Sequence, residues 1–156
     1  MANSKIFGRH GSRFVALQAL YAWTLTGESL SRIEADLLAK EFQKIDENQK
    51  PQKISFDRDY LHELIHQIPA NLQDLDEFMS PYLDRPLEEI SPIEHAILRI
   101  AIYELKFHPE TPYKVVINEA ILLAKSFGGQ DSHKFVNGVL DKAMKVIRSN
   151  ELAQAL

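Results

Sequence analysis

Apolar residues recur along the chain at intervals of three and four, and no stretch sustains alternation of apolar and polar positions. That period belongs to helices, where residues three and four apart share a face. An all-α fold of about seven helices follows. The first, 12–26, carries Phe14, Leu17, Tyr21 and Leu25 on one stripe and Ala16, Leu20 and Trp23 on another, so it is expected to be buried on two sides, with Gly27 as its stop. The second opens on Ser31-Arg32-Ile33-Glu34, read as a capping box, and continues through Leu37, Leu38 and Ile45. A polar loop, 46–56, precedes a third helix over 57–68, stopped by Pro69, and a fourth over 71–82 with Leu72, Leu75 and Phe78 inward. Ser91-Pro92-Ile93-Glu94 is a strong start signal: the serine caps, proline takes the first helical position, and the glutamate completes the box. The body behind it, HAILRIAIYELKF, is apolar almost all round and predicts the core helix.

The sixth helix, 112–127, contains the β-branched run Val115-Val116-Ile117, but no turn separates that run from NEAILLAKSF, so one helix ending at Gly128-Gly129 is expected. The seventh covers 132–148. Residues 149–156 are expected to fray and residues 1–11 to form a flexible basic segment. With no internal repeat and no linker, the chain reads as a single compact domain.

Composition narrows the function. The chain has 156 residues, 45% of them apolar, and no cysteine, which excludes a disulfide framework and thiolate metal sites and fits a cytoplasmic protein. The first residues lack the apolar core of a signal peptide, and the longest apolar run, near 96–103, is broken by Arg99, so no membrane span is expected. The formal net charge of −4 argues against a general nucleic-acid binder, yet the charge is uneven. Residues 1–27 hold three bases and no acid, residues 28–110 hold 18 acids against 9 bases, and residues 111–156 hold 4 acids against 6 bases. If the two basic ends meet, a local basic patch forms on an acidic protein.

One catalytic pattern needs a test. His62-Glu63-Leu64-Ile65-His66 matches the H-E-x-x-H zinc-protease motif. At about 100° per residue, both histidines point roughly opposite to the face of Tyr60, Leu61, Leu64, Ile65 and Ile68. No clear third ligand follows, so a solvated helix face is the expectation and no metal or cofactor is assigned. There is no phosphate-cradling glycine loop and no dinucleotide fingerprint, because Gly128-Gly129 ends a helix instead of opening one after a strand. Acid pairs such as Glu88-Glu89 lie in a connector. The residues support no enzyme.

Three blocks carry a resemblance. PYKVVINEAILLAKSFGGQDSHKFVNGVLDK at 112–142, QALYAW at 18–23 and PYLDRPLEEISPIEHAILRIAIYEL at 81–105 resemble, in order, the signatures of the NusB family of bacterial transcription antitermination factors. Residues 27–60 match nothing diagnostic. The resemblance implies two packed helical subbundles and binding of a single-stranded boxA element in ribosomal RNA transcripts. It also implies a protein partner, NusE, and assembly of an antitermination complex on RNA polymerase. A related domain is fused to RNA cytosine methyltransferases, but this chain has no room for their catalytic part. A protein–protein scaffold with incidental RNA contact is the alternative.

Residue by residue, the resemblance places Arg9 and Arg13 at arginine positions of an RNA-binding N-terminal segment, with His10 and Gly11 where further arginines are common. It puts Gln18 and Tyr21 on an RNA-facing surface, where an amide reads a base edge and a phenol stacks. Periodicity alone favours Tyr21 as core. Tyr82 and Arg85 fall near the RNA path, as stacking surfaces for unpaired bases. Phe127, Asp131, Lys134 and Phe135 complete the site, with Asp131 accepting from base amino groups. The plain alternative is a helix cap at Asp131 or Ser132 beside two core phenylalanines. Glu94 and its neighbours in the acidic middle are the candidates for a basic protein partner. Gly138, inside the signature helix, is expected to admit a closely packed helix, such as the first.

Overall fold

The computed structural model describes residues 2–40, 43–45 and 48–155, with the backbone alone for residues 2–7, 43–45, 51–53 and 155. The chain divides into two compact units, Met1–Pro69 and Ala70–Leu156. The first holds α1 (Ala2–Thr26), α2 (Leu30–Leu38), a two-stranded antiparallel ribbon of β1 (Gln43–Ile45) and β2 (Pro51–Lys53), and α3 (Arg58–Ala70), whose last residue lies past the division. The second holds α4 (Leu72–Met79), α5 (Pro92–Phe107), α6 (Tyr113–Phe127), α7 (Ser132–Ile147) and α8 (Ser149–Ala155), with 3-10 turns at Ser80–Tyr82 and Leu87–Glu89.

In the first unit, α1 starts ten residues earlier than its apolar stripes predict. Of the two expected stripes Ala16, Leu17 and Leu20 are buried, Phe14, Tyr21 and Trp23 are half-buried and Leu25 is exposed, while Val15 and Ala19, outside the stripes, are buried as well. The extension is held by a seam against the segment before α3. The Asp57 amide donates to the Gly8 carbonyl at 3.1 Å and to Ser12 Oγ at 2.9 Å, while the Ser12 hydroxyl reaches the Asp57 carbonyl at 2.6 Å. Asp57 Oδ1 in turn accepts from the Tyr60 amide at 3.1 Å, satisfying one of the open donors at the start of α3. The capping box expected at Ser31 and Glu34 is not formed: Ser29 caps α2, accepting from the Arg32 amide at 3.2 Å. The helix ends at Leu38, so Ile45 falls in β1 instead of on a helical face. Pro69 sits inside the last turn of α3 and does not stop it.

In the second unit α5 is the core helix, buried from Ala96 through Leu105 except for the half-buried Arg99. Its predicted cap is present, with Ser91 Oγ accepting from the Glu94 amide at 3.1 Å. α6 and α7 pack on α5 and on each other, and α4 packs on α5. Asp76 on α4 ties that contact: its carboxylate accepts from Arg99 Nε at 2.9 Å and Nη2 at 2.7 Å, and meets His95 Nε2 at 2.8 Å. Burial pushes the Asp76 carboxyl up, but the hydrogen bonds and charges of His95 and Arg99 outweigh it and bring it from 3.8 to about 2. A carboxyl depressed in the fold contributes stability that is present above its unfolded value and lost as pH falls through the folded one. Acid titration is therefore expected to cost the second unit about 2 kcal/mol between pH 4 and pH 2. Asp76→Asn should remove that part of the pH dependence; an unchanged acid-unfolding profile would refute the assignment.

Residues 149–155, expected to fray, form α8. Glu151 holds it, accepting from the Tyr113 amide at 3.0 Å and pairing with Arg148.

Candidate RNA interface

The turn after α4 and the first half of α7 bring four of the sequence-predicted residues together, Tyr82, Arg85, Lys134 and Phe135. Arg85 lies with its guanidinium carbon 4.5 Å from the Phe135 ring centre, a cation–π stack on an exposed edge. Tyr82 and Phe135 line a surface cavity of about 160 Å³ together with Asp84, Lys134, Gly138, Val139 and Lys142. Lys142 is a cation that the sequence reading missed. The signal was present, since Lys134, Gly138 and Lys142 recur at four-residue spacing on one face of α7. Among the described residues Gly138 has no neighbour within 4 Å of where a Cβ would stand, so the close packing expected of it is not seen there. The residue instead leaves an open floor between two lysines, at the usual cost of about 1 kcal/mol against alanine in a helix.

Both predicted cations of this face have a nearby carboxylate. Arg85 donates to Asp84 from Nε at 2.8 Å and from Nη2 at 3.3 Å. That hydrogen bond holds the Asp84 carboxyl below its ordinary value and the guanidinium above its own. Lys134 Nζ lies 3.2 Å from Asp131 Oδ1. Phosphate contact at either cation therefore competes with an internal partner, which weakens general affinity for polyanions and leaves discrimination to bases and shape. Asp131 occupies the N-cap position of α7 in the left-handed region, φ 69°, and makes no side-chain cap bond, so its carboxylate stays 64% exposed. Phe127 is half-buried at the end of α6.

The other predicted RNA residues belong to the first unit. Arg9 stacks on Tyr60 at 4.3 Å from the ring centre. Arg13, placed by the resemblance in the RNA-binding segment, is buried with its guanidinium 5.8 Å from the same ring. Its burial assigns it to the packing around Tyr60 and removes it from the surface cations. Gln18 and Tyr21 are both half-buried. The side chain of Lys5 lies outside the described residues.

Glu94, the candidate contact for a basic partner, is nearly buried. It is 9% exposed in the first turn of α5, and its negative charge acts on Arg85. Exposed acids of this unit include Asp74, Glu77, Glu88 and Glu89, with Asp84, Glu110, Asp131 and Asp141.

Comparison with known proteins agrees along nearly the whole chain. The sequence is 46% identical over 147 residues to the transcription antitermination protein NusB of Alcanivorax borkumensis, covering 94% of this chain and 91% of that protein. It is 49% identical to the protein of the same name from Shewanella amazonensis, over 86% of this chain and 92% of the relative. Among solved structures, NusB of T. maritima superposes with a TM-score of 0.70 at 32% identity, covering 88% of this chain and 90% of that one. Antitermination factors NusB and NusE in complex with dsRNA give a match with a TM-score of 0.70 at 23% identity, covering 88% and 96%, which speaks for the fold alone. The NusB family model itself matches residues 10–145, and with that span and these relatives the chain belongs to the NusB family.

Proposed function

We propose that this chain is a non-catalytic RNA-binding factor of transcription antitermination. In this reading it takes a single-stranded boxA element of ribosomal RNA transcripts together with NusE and helps assemble an antitermination complex on RNA polymerase. Its relatives carry the name transcription antitermination protein, and a protein of the same fold has been seen with NusE and RNA. No helix among the described residues is long and apolar enough to cross a membrane, in keeping with action in the cytoplasm on nascent transcripts.

The observation that carries the reading is the Arg85–Phe135 stack, with Tyr82, Lys134 and Lys142 around it. An aromatic ring, a guanidinium plane and ammonium groups are the parts from which single-strand sites are built. Arg9, Gln18, Tyr21, Phe127 and Asp131 extend the proposed RNA contacts, with Asp131 reading base amino groups. The exposed acids of the second unit suit a basic ribosomal protein as partner.

The test is titration of boxA RNA and a shuffled control, with and without NusE, across a salt series. About three neutralised phosphates predict a slope near −2 for log affinity against log salt, at about −0.7 each on a single strand. Arg85→Ala should make that slope shallower and weaken both RNAs. Phe135→Ala should leave the slope alone and cost about 1–3 kcal/mol through a lost stack. Equal affinity for both RNAs even with NusE present would favour the scaffold alternative instead.

A further inference from the structure

The His62–His66 run does not face open water on every side. His62 Nδ1 lies 2.8 Å from Glu34 Oε2, and His66 Nε2 lies 2.8 Å from Glu34 Oε1. The two rings stand 4.3 Å apart between centres. A third ligand, sought after the motif, is supplied by the helix before it. One donor atom from each of Glu34, His62 and His66 lies within 4.8 Å of the others, all inside the first unit.

We propose that Glu34, His62 and His66 form a binding site for a divalent ion of the zinc class. Two imidazoles and a carboxylate suit Zn²⁺, Co²⁺ or Ni²⁺, whereas Mg²⁺ and Ca²⁺ take oxygen donors. A tetrahedral ion about 2.0–2.1 Å from each donor spaces the donors roughly 3.3 Å apart. Glu34 Oε1 stands 3.1 Å from His62 Nδ1 and 2.8 Å from His66 Nε2, the donors all lie within 4.8 Å of one another, and His62, 65% exposed, has room to turn so that they converge on an ion. The frame is stiff, because Leu61, Leu64, Ile65 and Ile68 are fully buried and fix the turn of α3 that carries both histidines.

The carboxylate is prepared for a cation. Its side chain is only 12% exposed, and one carboxylate oxygen faces a ring nitrogen of each histidine. On loading, each imidazole binds as the neutral ring: a proton held between a ring nitrogen and Glu34 leaves to solvent or to the other ring nitrogen, and the ion takes its place. The ion would clip α2 to α3, with water completing the coordination.

The full chain, stripped with a chelator, is titrated with Co²⁺ and followed by visible absorption, then challenged with Zn²⁺ and, separately, Mg²⁺. One Co²⁺ per chain with the intense band of four-coordinate cobalt is expected, displaced by Zn²⁺ and untouched by Mg²⁺, and Zn²⁺ should raise the melting temperature. Glu34→Gln and His62→Gln should each weaken binding at least about tenfold, as losing even an outer-shell partner does. Circular dichroism confirms that both variants are folded, and His62, being exposed, is the safer of the two. Failure to saturate, a weak six-coordinate spectrum, or unchanged affinity in both variants would overturn the site and leave an ordinary histidine–carboxylate cluster.

Discussion

Arg148→Ala is expected to destabilise the second unit by about 3–5 kcal/mol, the range for removing one partner of a buried charge cluster. The guanidinium is 6% exposed and serves three segments at once. Its Nε donates to the Leu105 carbonyl at 2.9 Å, Nη1 to the Thr111 carbonyl at 2.9 Å, and Nη2 to the His108 carbonyl at 3.0 Å. Glu151 supplies the counter-charge. Leu105 lies in the last turn of α5, where carbonyls have no helical partner, and a cation there also meets the negative end of the helix dipole. Alanine strands those carbonyls in a place with little water and releases Glu151, which anchors α8 to the start of α6. Arg148→Lys should recover only part of the loss, because an ammonium cannot reach several directions with a planar fork. Chemical unfolding of the three proteins decides it; a loss below about 1 kcal/mol for alanine would mean that water replaces the guanidinium readily.

Arg148 also shows where reading the sequence stops. It looks like the last basic residue of a helix followed by a polar tail, and nothing in the spacing announces bonds to residues about forty positions away. The same holds for Glu34, which sits at the right spacing for a capping box with Ser31 yet meets two histidines 28 and 32 residues downstream. Local signals were legible. The Ser91-Pro92 start, the apolar girth of α5 and the Gly128 stop of α6 each depend on neighbours within a few residues, and each is in place. The ribbon of β1 and β2 was not legible, since three residues are too few for alternation and its turn uses Gln49 at φ 60° where a glycine would have signalled it. The candidate site divides in the same way. Lys134 and Lys142 share a face by spacing alone, whereas the Arg85–Phe135 stack joins residues fifty apart, and only the family resemblance points to both.

Gly11→Arg is expected to damage the protein instead of improving it. The family resemblance puts arginine at this position, so the substitution looks like a route to tighter RNA binding. A Cβ on residue 11 would stand 2.0 Å from the Ser55 carbonyl oxygen and 3.0 Å from Ile54 Cγ2. The first of these is backbone and cannot rotate away. Relief requires α1 to part from residues 54–57, and that breaks the seam in which Gly8 and Ser12 bond Asp57 while Asp57 starts α3. Overpacking ordinarily costs about 1–3 kcal/mol, and a contact this short against main chain belongs at or beyond the upper end. Gly11→Ala should lose nearly as much as Gly11→Arg, because the clash begins at Cβ. His10→Arg adds the same charge at a half-buried neighbour and serves as the control. It should stay folded and steepen the salt dependence of RNA binding by up to about 0.7, one phosphate's worth. Thermal unfolding of the three variants separates the readings: if Gly11→Arg melts with the wild type, the close approach of residues 54–55 to α1 is wrong, and the missing arginine is only a missing charge.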